Sequence, residues 1–281
     1  MIPDALADRL RVQPPTLYTP EPVSSECLVV SHETVSETYR RLVLLAPDIA
    51  SRALAGQFVM VTVPGDQRVL LPRPMAIHRR RPAEGTIELI YGEVGRGTRL
   101  LSDAPANSHM LITGPLGRGY EIPDTEGPLL LMGRGIGICA FMTVAEDAAH
   151  AGISTTAVLS ARTAKRVIGQ SDGNELGIRS LPVHDEDGSS QIVALESRLL
   201  ADFAANAPRA IFVCGSSRLA LLASHLGERW GSAVQVSLEA HMACGIGYCH
   251  GCAAPTRTDP ASEGPLVCVD GPVFDVSAFT A

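Results

Sequence analysis

The sequence predicts an α+β chain in several domains: an antiparallel β-barrel, an α/β domain with a parallel sheet, and a small C-terminal cysteine module. Three observations carry that prediction. Short β-branched runs between Gly, Pro and Asp turns fill the first part of the chain. Strand and helix patterns then alternate from residue 129 onward. Four cysteines close the chain, spaced Cys244-x4-Cys249-x2-Cys252 and, after fifteen residues, Cys268. A length of 281 residues suits two compact domains plus such a module. The expected divisions are 1–22 as an extended N-terminal segment, 23–123 as the barrel, 124–236 as the α/β domain and 237–281 as the cysteine module.

The elements follow in order. Residues 1–22 hold five prolines, Pro3, Pro14, Pro15, Pro20 and Pro22, and read as an extended lead-in. Barrel strands are expected at 27–31, 41–46, 57–63, 86–91 and 110–113, with Arg73 to His78 at the end of another strand and one helix near 97–102. Residues 123–128 form a linker. Beyond it, strands are expected at 129–132, 154–160, 210–214 and 234–238, and helices at 138–151, 195–205 and 217–229.

Composition narrows the function. A formal net charge of −7 argues against nucleic acid or an anionic membrane surface as a general partner. The longest apolar stretch, 129–145, contains Arg134 and the glycines Gly133, Gly135 and Gly137, so it reads as strand, loop and helix, not as a membrane span. The start of the chain has no basic, then apolar, secretory pattern, and the expected location is cytoplasmic. Cys27, Cys139 and Cys214 lie in apolar runs and read as buried free thiols in a reducing compartment.

The four C-terminal cysteines fit the plant-type [2Fe–2S] pattern, in which one tight loop gives three ligands and a later segment the fourth. Gly245, Gly247 and Gly251 let the backbone curl and turn its N–H groups towards sulfur. A structural zinc site is the competing reading, but zinc usually takes paired C-x2-C units and this chain has one. A disulfide framework fits less well again. His241 and His250 flank the ligands and could stand in for a thiolate, yet four cysteines suffice. A one-electron cluster needs an electron donor.

Two kinds of motif address the donor. Arg73 could pair a flavin pyrophosphate, or it could belong to a solvated Arg-Pro turn. The Gly95-Arg-Gly-Thr98 turn opens a helix and is either an anion site or a plain Thr cap. Gly114-Pro-Leu-Gly-Arg-Gly119 closes the barrel. Gly133, Gly135 and Gly137 lie between a strand and a helix, where a dinucleotide pyrophosphate can approach; close strand–helix packing explains the same glycines. Cys214-Gly215 ends a later strand at the carboxyl edge, where a nicotinamide is expected, although Cys214 also reads as a buried thiol. Asp185-Glu-Asp187 is either acid near a ribose or a surface turn. No catalytic residue is singled out.

Together these segments resemble the electron-transfer subunit of class 1B dihydroorotate dehydrogenase, a branch of the ferredoxin reductase superfamily. The resemblance runs from about Cys27 onward. Its most specific part is Ser237-Leu-Glu239, Met242-Ala-Cys-Gly-Ile-Gly-x-Cys-x-Gly-Cys252 and Val267-Cys-x-Asp-Gly-Pro-Val-Phe274. It implies FAD on the barrel, held by Arg73, Pro74, Met75 and Ala76, by Ile90, Tyr91 and Gly92, and by Gly97 and Thr98. It implies NAD(P)H on the α/β domain at Gly133, Gly135, Gly137, Cys214 and Gly215, and a [2Fe–2S] cluster on Cys244, Cys249, Cys252 and Cys268. Electrons would then pass to a catalytic flavoprotein oxidoreductase subunit, in a heterotetramer with two copies of each chain. Ala76 stands where the family usually has Ser, Arg134 where it has Gly, and Cys139-Ala140 and Ser216-Ser217-Arg218 depart as well. These departures keep a second reading open: a relay subunit with FAD and cluster that binds no NAD(P)H.

Overall fold

The computed structural model describes residues 4–7, 9–12, 21–64, 69–254 and 263–276. The elements are α1 (Asp4–Ala7), β1 (Leu10–Arg11), β2 (Val23–Thr34), β3 (Tyr39–Leu45), α2 (Pro47–Arg52), β4 (Phe58–Val61), β5 (Arg73–Arg81), β6 (Thr86–Gly92), α3 (Arg96–Ser102) and β7 (His109–Leu116). Then come β8 (Leu129–Arg134), α4 (Met142–His150), β9 (Thr155–Ala161), α5 (Gln170–Glu175), β10 (Arg179–His184), α6 (Ile192–Asp202), β11 (Ala210–Cys214), α7 (Ser217–Trp230), β12 (Ala233–Ser237) and β13 (Val273–Val276).

Six antiparallel strands close a barrel in the order β2-β3-β6-β5-β4-β7. Alternation drives it: inward residues such as Val29, Leu42, Leu44, Val59, Ile87, Leu89 and Ile112 are fully buried. Arg73 begins β5 instead of ending a strand as expected, because the residues that pair with β4 and β6 follow it. The barrel also holds a second helix, α2, which the sequence reading missed; Pro47 at its first turn marks its start.

The second sheet has seven strands, ordered β1-β13-β12-β11-β8-β9-β10. Its central strands β8, β9 and β11 are buried almost throughout, as a parallel sheet covered on both faces requires. Ser216 caps α7 by accepting from the Leu219 N–H, and Gly231 ends the helix in the left-handed region. Three expectations change. The helix expected at 138–151 is a 3-10 turn over Gly135–Phe141 that passes into α4. β10 and α5 were not foreseen. β13 returns from beyond the cysteine loop to pair antiparallel with β12, and β1 pairs with β13. The lead-in expected as extended thus contains α1 and a sheet strand; Pro3, Pro14, Pro15 and Pro20 lie outside the described residues, as do 277–281 of the expected module.

An ion cluster joins barrel and sheet. Arg79 of β5 donates to Glu146 of α4 at 2.5 Å and to Asp172 of α5 at 3.3 Å, while Arg41 of β3 reaches Asp172 at 2.9 Å. Arg80 pairs with Asp147. His78, fully buried, lies with Nε2 3.3 Å from Asp172. These pairs tie the two units together, and a cleft lies between barrel, sheet and cysteine module.

Candidate electron-transfer site

The cleft is a cavity of about 930 Å³ bounded by all three parts of the chain. The barrel contributes Arg73, Pro74, Met75 and Ala76 from β5, Ile90, Tyr91 and Gly92 from β6, and Thr98 from α3. The sheet contributes Gly137, Cys139, Cys214 and Gly215 at its carboxyl edge. The cysteine module contributes Ala253, Ala254 and Val267. Tyr39, Phe58 and Glu239 also line it; Tyr39 and Phe58 carried no local sequence signal, since only the tertiary fold brings them there.

The barrel wall has the chemistry of an anion cradle. A Cβ on Gly97 would lie 2.5 Å from Arg73 Nη2, so only glycine lets the guanidinium lie across the first turn of α3. Arg73 Nη1 donates to the Leu71 carbonyl at 2.7 Å, which steadies the side chain. Thr98 does act as a cap: its Oγ1 accepts from the Gly95 N–H and donates to the Gly95 carbonyl, both at 3.1 Å. The arrangement fits a dinucleotide flavin, whose pyrophosphate takes one guanidinium and helix-start N–H groups.

At the sheet edge, Gly133 and Ser237 are the registered neighbours of Cys214. A Cβ on Gly133 would lie 2.5 Å from Phe141 and one on Gly137 2.5 Å from the Gly215 Cα, so these two glycines serve close packing. Gly135 opens the 3-10 turn, and the Tyr39 hydroxyl, which accepts from the Ile136 N–H, stands 3.0 Å from where its Cβ would be. Cys139 and Cys214 are buried, and burial pushes both thiols well above their ordinary range. They are neutral walls of the cavity, not nucleophiles. Arg134 neither points into the cleft nor hangs in solvent: its fork grips Asp185, with Nη2 to Oδ2 at 2.7 Å. Asp185 therefore belongs to an ion pair at this edge, with its carboxyl held down at about 2 by Arg134 and Ser190.

The four module cysteines fall into two pairs. The Cys249 thiol donates to Cys244, and the Cys268 thiol donates to Cys252. Backbone N–H groups close on the sulfurs: Cys249 N–H on Cys244 at 3.4 Å and Gly247 N–H on Cys268 at 3.1 Å. Burial raises the Cys244 pKa, but the Ile246, Cys249 and Tyr248 contacts outweigh it and bring the thiol to about 6. Burial and the partner Cys252 push Cys268 up to about 12. Two thiol pairs with N–H donors to sulfur fit a binuclear cluster, each iron taking two ligands. Among the described residues no three His, Cys, Asp or Glu groups converge as a single-metal site would need. All four cysteines are free. His250 pairs with Glu263 at 2.7 Å, outside this donor set.

The cysteine loop rests on the barrel. Cys252 and Cys268 share a core with Phe58, Met60 and Leu116, and a Cβ on Gly245 would lie 2.6 Å from Met60. Phe58, Ala254 and Val267 belong to that core and also line the cavity, so the barrel site and the cysteine core meet directly.

Comparisons with known proteins agree with this geometry. Residues 239–280 match the model of the iron–sulfur cluster binding domain of dihydroorotate dehydrogenase B. The dihydroorotate dehydrogenase B (NAD(+)) electron transfer subunit of Listeria monocytogenes serotype 4b (strain F2365) is 30% identical over 254 residues, covering 90% of this chain and 97% of that one. The subunit of the same name from Desulforamulus reducens is 29% identical, covering 82% and 87%. Among solved structures, the NADH-dependent reduced ferredoxin-NADP oxidoreductase superposes with a TM-score of 0.75 at 25% identity, covering 89% of this chain and 88% of that one. The ferredoxin reductase of carbazole 1,9a-dioxygenase shares the fold, with a TM-score of 0.62 over 76% of this chain and 68% of its own. Among the described residues no helix is long and apolar enough to cross a membrane. With a relative matched over nearly its full length and the cluster domain in register, the chain belongs to the dihydroorotate dehydrogenase B electron transfer subunit family.

Proposed function

We propose that this chain takes electrons from NAD(P)H and delivers them singly to a catalytic flavoprotein subunit of the dihydroorotate dehydrogenase type, with two copies of each chain in a cytoplasmic complex. The observation that carries the reading is the single cavity that touches the Arg73–Gly97 cradle, the Gly137–Cys214 edge and the cysteine core. When bound there, FAD would supply the conversion between the two-electron chemistry of a nicotinamide and the one-electron chemistry of a [2Fe–2S] cluster. Arg73 and the α3 turn would hold its pyrophosphate, Ala76 and Ile90 to Gly92 would receive its ring system, and the neutral thiols Cys139 and Cys214 would wall the nicotinamide side. Cys244, Cys249, Cys252 and Cys268 hold the cluster. Cys249 is exposed, and the apolar Ile246, Tyr248 and Val269 stand exposed beside it, a surface suited to the acceptor subunit.

Anaerobic stopped-flow mixing with NADH and with NADPH tests the reading. Rapid bleaching of the flavin followed by loss of cluster absorbance is expected. Fully loaded protein that bleaches with neither nucleotide is the mark of a relay subunit that takes electrons from elsewhere.

A further inference from the structure

Tyr39 opens β3 and is registered opposite Gly92 of β6, at the end of the barrel that faces the sheet. Its ring lines the cavity and packs against the core on the sheet side of the joint. The hydroxyl stands in the space that Gly135 leaves by lacking a side chain: a Cβ there would lie 3.0 Å from it. It accepts from the Ile136 N–H, and among the described residues no group accepts its own proton. Burial holds the phenol above its ordinary range, so it remains a donor at neutral pH. Arg166, in the short turn after β9, is close enough to act on this hydroxyl through its charge. Arg41, Arg79 and Arg134 are each held by a carboxylate, whereas no carboxylate among the described residues pairs with half-buried Arg166. Glu239 adds a negative charge to the same cavity, and Arg166 is a cation that offsets it.

We infer that Tyr39 and Arg166 bind the pyrophosphate of the nicotinamide nucleotide from opposite sides of the joint, the barrel giving a hydroxyl and the sheet a guanidinium. The inference rests on the nicotinamide-nucleotide reading above and names the residues that take its phosphates. In an open α/β sheet a dinucleotide lies across the carboxyl ends of the strands, with its pyrophosphate beside the glycine turn that follows the first of them. Gly135 lies in that turn after β8, and the Tyr39 hydroxyl lies against it. A hydroxyl that already accepts one hydrogen bond keeps its proton to give, and an unpaired guanidinium has its fork free for phosphate oxygens. Because one contact comes from β3 and the other from the turn after β9, the nucleotide is gripped only while barrel and sheet stay apposed.

The test uses the full chain carrying its flavin and cluster, with NAD(+) and ADP-ribose as calorimetric probes and KM and kcat for NADH as the kinetic readout. Tyr39→Phe keeps the packed ring and removes only the hydroxyl. Arg166→Gln removes the charge. Each should weaken both probes about ten- to a hundredfold, the range of one hydrogen bond to a charged group, while flavin content and spectrum match wild type. The loss should appear in KM for NADH and not in kcat, and Arg166→Lys should recover part of it. A Tyr39→Phe protein that binds the probes as tightly as wild type, or more tightly, overturns the inference: the hydroxyl then only braces or blocks the glycine turn. Unchanged binding in Arg166→Gln overturns it as well. Wild type that binds neither probe, with flavin and cluster at full occupancy, overturns the nucleotide-binding reading and this inference with it.

Discussion

At the scale of single residues, the barrel site depends on one contact that only glycine permits. Arg73 crosses the first turn of α3 because Gly97 has no Cβ, and the Leu71 carbonyl steadies it there. Arg73→Ala removes a charge-assisted contact worth about 1.5–3 kcal/mol, so FAD affinity should drop roughly ten- to a hundredfold. Flavin retained after exhaustive dialysis, measured spectrally against wild type, checks this; equal retention would count against the cradle. Gly97→Ala should mimic the loss, since the guanidinium must move aside. Arg73, Gly97 and Thr98 were legible because the motifs are local: an Arg-Pro at a strand terminus and a glycine turn at a helix start. Tyr39 was not. It begins β3, and only the closure of barrel on sheet brings its hydroxyl to the Ile136 N–H beside Gly135.

At the scale of elements, the spacing of the four cysteines is legible in the sequence, while the surroundings of the loop are not. Spacing is a one-dimensional property and survives intact in the sequence. The anchoring is three-dimensional: Cys252 and Cys268 pack with Phe58 and Met60 of β4, and β13 ties the end of the loop back into the sheet. A four-residue strand that follows a Gly-Pro and pairs antiparallel to a parallel sheet gives no periodic signal. Arg73 to His78 is expected at the end of a strand, since Arg73-Pro-Met looks like a strand running into a turn, whereas Arg73 opens β5. The four cysteines should accordingly differ when replaced. Cys249→Ser, at an exposed position, should lose iron and acid-labile sulfide together while keeping full flavin content. Cys268→Ser should lose the same inorganic content and also destabilise the barrel face, because a hydroxyl enters a buried core. Metal and sulfide analysis with flavin absorbance separates the two, and stoichiometric zinc without sulfide would exclude the cluster assignment.

At the scale of the whole molecule, the joint between barrel and sheet decides whether the three sites share one cavity. The alternation of strand and helix patterns made both units legible, yet nothing local indicates that Arg41, His78 and Arg79 of the barrel converge on Asp172 of α5. Asp172 has a side chain only 2% exposed, against 3% for Arg79. Burial raises its pKa, but contacts with His78, Arg41 and Arg79 more than offset this and hold the carboxyl well below its ordinary range. Its folded-state value is thus depressed relative to the unfolded chain. The stability it confers is complete above the unfolded value near ~3.9 and is lost as pH falls towards the lowered one. Glu146 contributes with the opposite sign, since burial outweighs Arg79 and Arg80 and its pKa is raised. Comparing wild type with Asp172→Asn cancels that opposing contribution. The substitution takes the carboxylate from buried Arg79 and half-buried Arg41, which keep Glu146 and Glu88 as partners, and should cost about 1.5–3 kcal/mol at neutral pH. Measured by urea unfolding, the gap should stay flat from about pH 7 to 5 and narrow below about pH 4, as wild type loses the charge that the variant already lacks. A gap that persists undiminished at pH 3 would mean that the joint is held by packing and not by this carboxylate. The narrowing should be accompanied by loss of flavin from wild type, because the cavity exists only while the two units stay apposed.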